Sequence, residues 1–369
     1  MHPLLLIALL ITASASYAVP SPLPDLQKPP VKPHPQARQL PPLLSGSPES
    51  ASARTDWDKQ AEALRAQWTT LLGEFPKQKV PLQTEFLAKE ELPTFTRQTI
   101  TYQIEADVRT DAVLLVPKGA TGKLPTIVLF HPTYAEHYKR VVGLEGEEEP
   151  ERQQAIQLVH QGYIVVVPRC FLWSEIPEGF LKPGENGYAA RVRKMQESHP
   201  SWKGITRMTW DGIRALDLAE SLPMVDPARL GIFGHSLGAK EVLYVAAFDG
   251  RPRCVVSSEG GIGLRQSNWE AVWYLGPEIR NPEFARENHE LLALIAPRPV
   301  LVLAGGEGKG AADTDASWAL IEAALPIYRL LGAPQNIGWF NHGLGHRYGA
   351  EARSVAEGFL ENRLKHFGQ

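Results

Sequence analysis

The sequence has only two cysteines in 369 residues, Cys170 and Cys254. Two cysteines are too few for a disulfide framework, and their spacing matches no structural zinc motif. An excess of charge is also lacking, because 38 Lys and Arg residues face 41 Asp and Glu residues, for a formal net charge of −3. This balance offers no long-range attraction to nucleic acid. With 43% apolar residues, the composition predicts a globular protein that needs neither metal nor cofactor to fold and has no nucleic-acid partner.

Long hydrophobic runs are absent as well. The apolar run Leu4–Ile11 is too short to span a membrane, and small residues follow it up to Ala18, which is the pattern of a secretory signal over residues 1–18. Residues 19–54 are rich in proline and have no apolar period, which predicts a linker. We therefore expect a secreted or periplasmic protein without stable membrane insertion.

The remaining residues, 55–369, alternate between strand and helix patterns and predict one catalytic domain. Apolar residues at helical spacing predict a helix over Asp56–Leu72, and two alternating stretches, Thr99–Ile104 and Ala112–Pro117, predict an antiparallel hairpin. Short continuous apolar runs, typical of buried parallel strands, then alternate with helical segments. This order predicts a doubly wound, mostly parallel α/β sheet of about eight strands with helices on both faces.

A candidate nucleophile lies where the strand around Leu230–Phe233 meets a helix. The intervening residues are Gly234-His235-Ser236-Leu237-Gly238, a GxSxG motif. A serine on so sharp a strand-to-helix turn requires very small neighbours two residues away on either side. The amides and dipole at the start of the helix favour a developing oxyanion. Ser236 is therefore the predicted nucleophile.

A nucleophilic serine needs a histidine base and a carboxylate that orients it. The last predicted strand runs into a glycine-rich loop with His342 and His346, of which His346 is the preferred base. Two carboxylates follow earlier strands: Asp313, after the penultimate strand, and Glu259, after the strand before it. Asp313 is the predicted acid, and Glu259 is the alternative.

The oxyanion would need two backbone donors. The Leu237 amide follows the nucleophile directly, and the second donor belongs to the loop after the first core strand, His131-Pro132-Thr133-Tyr134. Proline has no amide hydrogen, so Thr133 or Tyr134 must provide it. The two-donor site is therefore predicted from Leu237 and Thr133, with Tyr134 as the other possibility.

Over residues 95–369 the chain resembles the α/β-hydrolase superfamily, and within it the dienelactone-hydrolase-like and acetyl xylan esterase group. The resemblance rests on His131-Pro132-Thr133, the stretch Trp210–Asp217, the GHSLG motif and Ile295–Pro299. It implies Ser236 as nucleophile, His346 as base and an ester as substrate. The usual strand order of this fold separates Cys170 from Cys254 by three strand spacings, which predicts two free buried thiols.

Two residues are similar to features of glucuronoyl esterases. Lys240 lies four residues after the serine, where that family contacts sugar hydroxyls, and Glu259 lies where some members keep the catalytic acid. Trp269 and Trp273 are candidates for stacking on a sugar ring. Together these features predict an exported serine carboxylesterase that deacylates plant polysaccharide or acts on a small-molecule ester. The alternatives are a serine peptidase of the prolyl-oligopeptidase type and a noncatalytic binding protein on a hydrolase fold. The sequence does not determine the oligomeric state.

Overall fold

The structure is a computed structural model, and it describes residues 23–365 apart from 33, 36, 38, 45, 51, 134–136 and 146–148. The predicted signal peptide, residues 1–18, and the possible oxyanion donor Tyr134 lie outside the described residues. Among the described residues, no helix is both long and apolar enough to cross a membrane.

One sheet forms the centre of the fold, in the order β1-β2-β3-β5-β4-β6-β7-β8-β9. The first three strands and the β3–β5 pair are antiparallel, and the pairs from β5 to β9 are parallel. The bounds are β1 Glu85–Glu91, β2 Phe95–Glu105, β3 Val108–Pro117, β4 Leu124–Phe130, β5 Ile164–Pro168, β6 Val225–His235, β7 Cys254–Ser258, β8 Val300–Ala304 and β9 Ile337–Asn341. This arrangement confirms the predicted α/β-hydrolase fold.

Helices cover both faces of the sheet, and apolar side chains pack between the two layers and the sheet. Their bounds are α1 Ala53–Leu72, α2 His137–Val141, α3 Gln154–His160, α4 Gly187–Gln196, α5 Gly204–Ser221, α6 Leu237–Phe248, α7 His289–Ile295, α8 Trp318–Leu330 and α9 Ala350–Leu360. The predicted first helix and hairpin are confirmed. The sheet has one strand more than the expected eight: β1 is exposed along its whole length, so it carries no buried alternation that the sequence would show.

Part of the predicted linker lies against the domain. The backbone carbonyl of Leu26 accepts a hydrogen bond from the Trp339 amide in the edge strand β9, at 2.7 Å. The Gln27 side chain donates to the Ile337 carbonyl at 2.8 Å, and Leu43 is buried in the core. Leucines scattered among the prolines supply the apolar contacts that a purely polar linker would lack: Leu26 and Gln27 contact the sheet edge, and Leu43 reaches the core.

The two cysteines are free and buried, as predicted. Cys170 follows β5 and Cys254 begins β7, and β4 and β6 lie between these strands. The carboxyl ends of β4, β6, β7, β8 and β9 lie along one edge of the sheet, and the loops that follow them hold the candidate site.

Candidate active site

Ser236 lies on the sharp turn between β6 and α6. Its backbone has φ 60° and ψ −116°, a conformation that non-glycine residues rarely adopt. A Cβ atom on Gly234 would lie 2.1 Å from the Gly238 carbonyl oxygen, and one on Gly238 would lie 2.0 Å from the Phe130 carbonyl oxygen. Only glycine fits at either position, so the two glycines of the GxSxG motif permit the sharp turn that carries Ser236.

His346 lies within hydrogen-bond distance of the serine. Its Nε2 is 2.9 Å from Ser236 Oγ. The loop that carries His346 rests on the loop after β8: the Gly345 amide donates to the Gly305 carbonyl, and the His346 amide donates to the Lys309 carbonyl. A Cβ atom on Gly305 would lie 2.2 Å from the Gly345 carbonyl oxygen. The glycines of the two loops therefore permit the close approach that holds the imidazole over Ser236.

Glu259 is the carboxylate beside His346. Its Oε2 lies 3.4 Å from His346 Nδ1 and accepts a hydrogen bond from the Ala312 amide at 2.8 Å. The residue follows β7 directly, with a left-handed φ of 56°, and its side chain is fully buried. The Ser236 hydroxyl, the His346 imidazole and the Glu259 carboxylate thus form a continuous line of groups within hydrogen-bond distance.

Asp313, which the sequence analysis favoured as the acid, has other partners. Its two carboxylate oxygens accept hydrogen bonds from the Gly261 and Ile262 amides, both at 2.7 Å, and from the Ser317 hydroxyl at 2.8 Å. These three donors occupy the carboxylate and hold the loop that follows Glu259. The preference for Asp313 is therefore revised: its hydrogen bonds go to neighbouring loops, whereas Glu259 faces the imidazole.

Burial dominates the electrostatics of the site. It raises the pKa of Glu259 to about 7, and the nearby Asp313 carboxylate adds to this effect, whereas the hydrogen bond with His346 opposes it. Burial also raises the pKa of Asp313, and the amides of Ile262 and Gly261 and the Ser317 hydroxyl oppose that shift. A carboxyl group buried in this way ionises readily only where its carboxylate receives hydrogen bonds or faces a cation.

The backbone at the start of α6 and after β4 faces the same space. Leu237 is the first residue of α6, where helix amides have no partner inside the helix. Leu237 and Thr133 both line the cavity in front of Ser236. The structure thus brings together the two predicted donors, Leu237 and Thr133, in the cavity that Ser236 also lines.

A cavity of about 290 Å³ opens beside Ser236 and His346. Lys240 forms part of its wall; the ammonium donates to the Gly260 carbonyl and, at 3.0 Å, to the Ser267 hydroxyl. Burial lowers the pKa of Lys240 to about 7, opposed by the Asp313 carboxylate. The sequence analysis did not single out three further polar residues that line the cavity, because they lie in a loop without a motif: Gln266, Ser267 and Asn268.

Neither predicted tryptophan lines the cavity. Trp269 is fully buried, its indole donates to the Gly261 carbonyl at 2.7 Å, and Lys240 Nζ lies 4.3 Å from the ring centroid. Trp273 packs against Tyr188 and Tyr274. The expectation that Trp269 stacks on a substrate ring is therefore corrected: the ring supports the Lys240 ammonium from within the core.

His342, the less favoured base, is a packed residue. It is 7% exposed, and its Nδ1 accepts a hydrogen bond from the Leu344 amide at 3.2 Å. Burial lowers its pKa. It therefore shapes the loop that leads to His346 and does not line the cavity.

The model of one protein family, acetyl xylan esterase (AXE1), matches residues 55–260, more than half of the chain. A carbohydrate esterase, MZ0003, from an unknown prokaryotic organism is 26% identical over 201 residues, which cover 49% of this chain and 45% of that protein. A 4-O-methyl-glucuronoyl methylesterase 1 of Sodiomyces alcalophilus is 28% identical over 162 residues, which cover 37% and 32%. The chain thus spans less than half the length of these two relatives.

Among solved structures, a glucuronoyl esterase from Solibacter usitatus superposes with a TM-score of 0.65 at 18% sequence identity, covering 90% of this chain and 98% of that one. At this identity the likeness establishes the fold.

Proposed function

Because the chain belongs to the acetyl xylan esterase (AXE1) family of carboxylic ester hydrolases, we propose that it is a serine esterase that acts on esters of plant polysaccharide. The observation that carries the proposal is the line of hydrogen-bond distances from Ser236 Oγ through His346 to Glu259 Oε2, 2.9 Å and 3.4 Å. In this proposal Ser236 is the nucleophile, His346 the general base and Glu259 the orienting acid.

The reaction follows the usual order of serine hydrolases. Ser236 Oγ attacks the ester carbonyl as His346 Nε2 takes its proton, and the Leu237 and Thr133 amides stabilise the oxyanion. The intermediate collapses, the bond to the alcohol breaks, and His346 returns the proton to the leaving oxygen. Water, deprotonated by the same imidazole, then attacks the acyl-enzyme; the bond to Ser236 Oγ breaks as His346 returns the proton to that oxygen, which releases the acid and restores the free serine.

The cavity supports a sugar ester as the substrate. An acetyl group needs only a small apolar space, whereas this cavity of about 290 Å³ presents the Lys240 ammonium and the polar side chains of Gln266, Ser267 and Asn268. Such groups hydrogen-bond sugar hydroxyls and fix the orientation of a ring. We therefore place the sugar beside Lys240. A glucuronate ester, whose acyl carbon belongs to the sugar, meets this requirement most directly; acetylated xylan is the other member of the class.

The test is hydrolysis of p-nitrophenyl acetate, acetylated xylan and a methyl ester of glucuronic acid by purified residues 19–369. We expect the wild-type protein to hydrolyse at least one of these esters, and kcat/KM for that ester to fall at least about 10³-fold in Ser236→Ala. Ser221→Ala is the matched control, because Ser221 lies on α5 and its hydroxyl donates to the Leu218 carbonyl. Equal activity of wild type and Ser236→Ala on every ester would contradict the proposal.

We also propose export, with cleavage near Val19. The support is the apolar run and the small residues of 1–18, together with a polysaccharide substrate, which lies outside the cell. The mass of the protein recovered from a bacterial periplasm or medium tests this; a retained Met1 in a cytoplasmic fraction would contradict it.

A further inference from the structure

We infer that His131 is a positioning residue: its imidazole fixes the peptide group between Pro132 and Thr133, so that the Thr133 amide is held toward the oxyanion. This inference rests on the proposed function and adds a residue to it.

The hydrogen bonds assign the tautomer of His131. The Cys170 amide donates to Nε2 at 3.1 Å, so Nε2 is an acceptor and carries no hydrogen. The proton of the neutral ring is therefore on Nδ1, which lies 2.9 Å from the Pro132 carbonyl oxygen and donates to it. Burial lowers the pKa of His131 to about 4, which keeps the ring neutral and this tautomer in place at neutral pH.

A hydrogen bond to the Pro132 carbonyl also orients the next amide. The peptide group is planar, and in the trans form its C=O and N–H bonds point in opposite directions. The bond between Pro132 and Thr133 is trans, since the cis bond found among the described residues is Ala296–Pro297. Holding the Pro132 carbonyl toward His131 therefore turns the Thr133 N–H away from that ring. Thr133 lines the cavity in front of Ser236.

The imidazole itself is held rigidly. It is 1% exposed, and its ring centroid lies 4.9 Å from that of Trp173 and 5.6 Å from that of Tyr138. On the other side of the same loop, the Tyr188 hydroxyl donates to the Thr133 carbonyl at 3.1 Å. The loop after β4 has no secondary structure at these residues, so side-chain hydrogen bonds to two successive carbonyls hold it in place.

The requirement for such an anchor follows from the sequence. Pro132 has no amide hydrogen and cannot tie the loop to a neighbouring strand by donation. An oxyanion donor contributes to catalysis only if its direction is set before the charge develops. The carbonyl is the one hydrogen-bonding group that the Pro132 backbone retains. The His131 imidazole donates to this carbonyl and so sets the direction of the next amide.

The test compares His131→Leu with His131→Asn. Leucine fills the space but cannot donate, whereas the Asn side-chain NH₂ lies close to the position of imidazole Nδ1 and can still donate to the Pro132 carbonyl. We expect kcat for p-nitrophenyl acetate to fall about 10- to 100-fold in His131→Leu, less than the loss of a whole oxyanion donor, with KM changed less than about threefold. His131→Asn should recover most of kcat.

His289→Leu is the matched control, because His289 is equally buried but lies on α7, away from the cavity. It should affect thermal stability without lowering kcat at temperatures where the protein is folded. The inference is overturned if His131→Leu keeps kcat within twofold of wild type, or if Tyr188→Phe lowers kcat and His131→Leu does not.

A second measurement does not depend on activity or on the stability of the variants. In ¹⁵N-histidine-labelled wild-type protein, the His131 ring should carry its proton on Nδ1 and stay neutral between pH 5.5 and 8. A ring protonated on Nε2, or one that titrates in this range, would overturn the inference. If Ser236→Ala retained full activity, the proposed function itself would fail; an inactive Ser236→Ala with a fully active His131→Leu would reject only the role of His131.

Discussion

Ser236 and Glu259 directly follow the adjacent strands β6 and β7, and each has a positive φ, which is unusual for a non-glycine residue. Their φ angles are 60° and 56°, and among the described residues the other non-glycine with positive φ is Gln83. The two turns are tied to their neighbours: the Ser236 amide donates to the Ser258 carbonyl at 2.8 Å, and the Glu259 amide donates to the Leu303 carbonyl at 3.0 Å. Backbone strain of this kind persists where the surrounding structure enforces it, often at functional sites, and it supports Glu259 beside Ser236 in the proposed machinery.

The two candidate acids should respond differently to the loss of charge. Glu259→Gln should lower kcat by about 10³- to 10⁴-fold, because the amide cannot stabilise the imidazolium that forms on His346. Asp313→Asn should lower kcat by about tenfold or less. It should reduce the free energy of unfolding by about 2 kcal/mol, because the side-chain NH₂ of the new asparagine then faces the backbone N–H of Gly261 or Ile262, and neither group can accept a hydrogen bond.

Steady-state kinetics and thermal unfolding of both variants make this comparison. A larger loss of kcat in Asp313→Asn than in Glu259→Gln, with both variants folded, would return the role of acid to Asp313.

The activity should fall as the pH falls through about 7. The pKa of Glu259 is raised to about 7 by burial, so below this pH the carboxyl gains a proton and loses the negative charge that stabilises the imidazolium formed on His346. The measurement is the pH profile of kcat/KM for a neutral ester, which has no ionisable group of its own. Full activity maintained down to pH 5 would contradict this ionisation.

Lys240 should matter for sugar substrates and little for simple esters. Lys240→Met keeps most of the length of the unbranched side chain and removes the ammonium that donates to Ser267. We expect kcat/KM to fall about 10- to 100-fold on the glucuronate ester, mostly through KM, and less than about threefold on p-nitrophenyl acetate. Equal losses on both substrates would indicate that Lys240 supports the fold of the site instead of binding the sugar.

The turn around Ser236 should not tolerate a Cβ atom at Gly238. In Gly238→Ala the new atom would lie 2.0 Å from the Phe130 carbonyl oxygen, and neither backbone can move without displacing β4 or α6. We expect a loss of stability of about 3 kcal/mol or more and the loss of esterase activity. Gly250→Ala is the control, since nothing lies within 4 Å of its Cβ position; chemical unfolding of the two variants gives the comparison.

Glu241 should destabilise the protein as the pH rises. Burial raises its pKa to about 8, above the value of about 4.3 in an unfolded chain. The contribution of the protonated Glu241 to the free energy of unfolding is therefore fully present below about pH 4.3 and is lost progressively as the pH rises to about 8. Glu241→Gln cannot ionise, so its melting temperature should exceed that of wild type at pH 8 by an amount that shrinks toward pH 5.

The exposed Glu322, on α8, provides the control for this pH dependence. Glu322→Gln removes a carboxyl group from the surface and should leave the melting temperature close to that of wild type. A Glu241→Gln curve parallel to wild type would show that Glu241 is already charged in the folded protein.

Local patterns were sufficient for much of the fold and for two of the three proposed triad residues. Buried parallel strands are short continuous apolar runs, and the apolar residues of amphipathic helices repeat about every 3.6 residues. Both patterns can therefore be recognised from residues close together in the chain. Ser236 needs glycines two residues away on either side for steric reasons that apply at the turn itself. By contrast, β1 is exposed along its length and carries no such pattern.

The choice between Glu259 and Asp313 required the tertiary structure. The strands that precede them, β7 and β8, are neighbours between the Ser236 strand and the His346 strand, so chain order and strand position allow either acid. Distances decide between them: Glu259 Oε2 lies 3.4 Å from the imidazole, and Asp313 is engaged by two amides and a hydroxyl.

The other features of the fold and the site also divide into those that follow from local sequence and those that depend on tertiary contacts. Local sequence patterns were enough for the order of the eight predicted strands, the turn around Ser236 and the histidine loop, because each depends on residues close together in the chain. Contacts between distant loops were needed to show which carboxylate meets His346, that Trp269 is buried beneath Lys240, and that the His131 ring holds the Pro132 carbonyl. These relations join loops far apart in sequence, and their free energies depend on burial and on hydrogen-bond geometry, which no local pattern encodes.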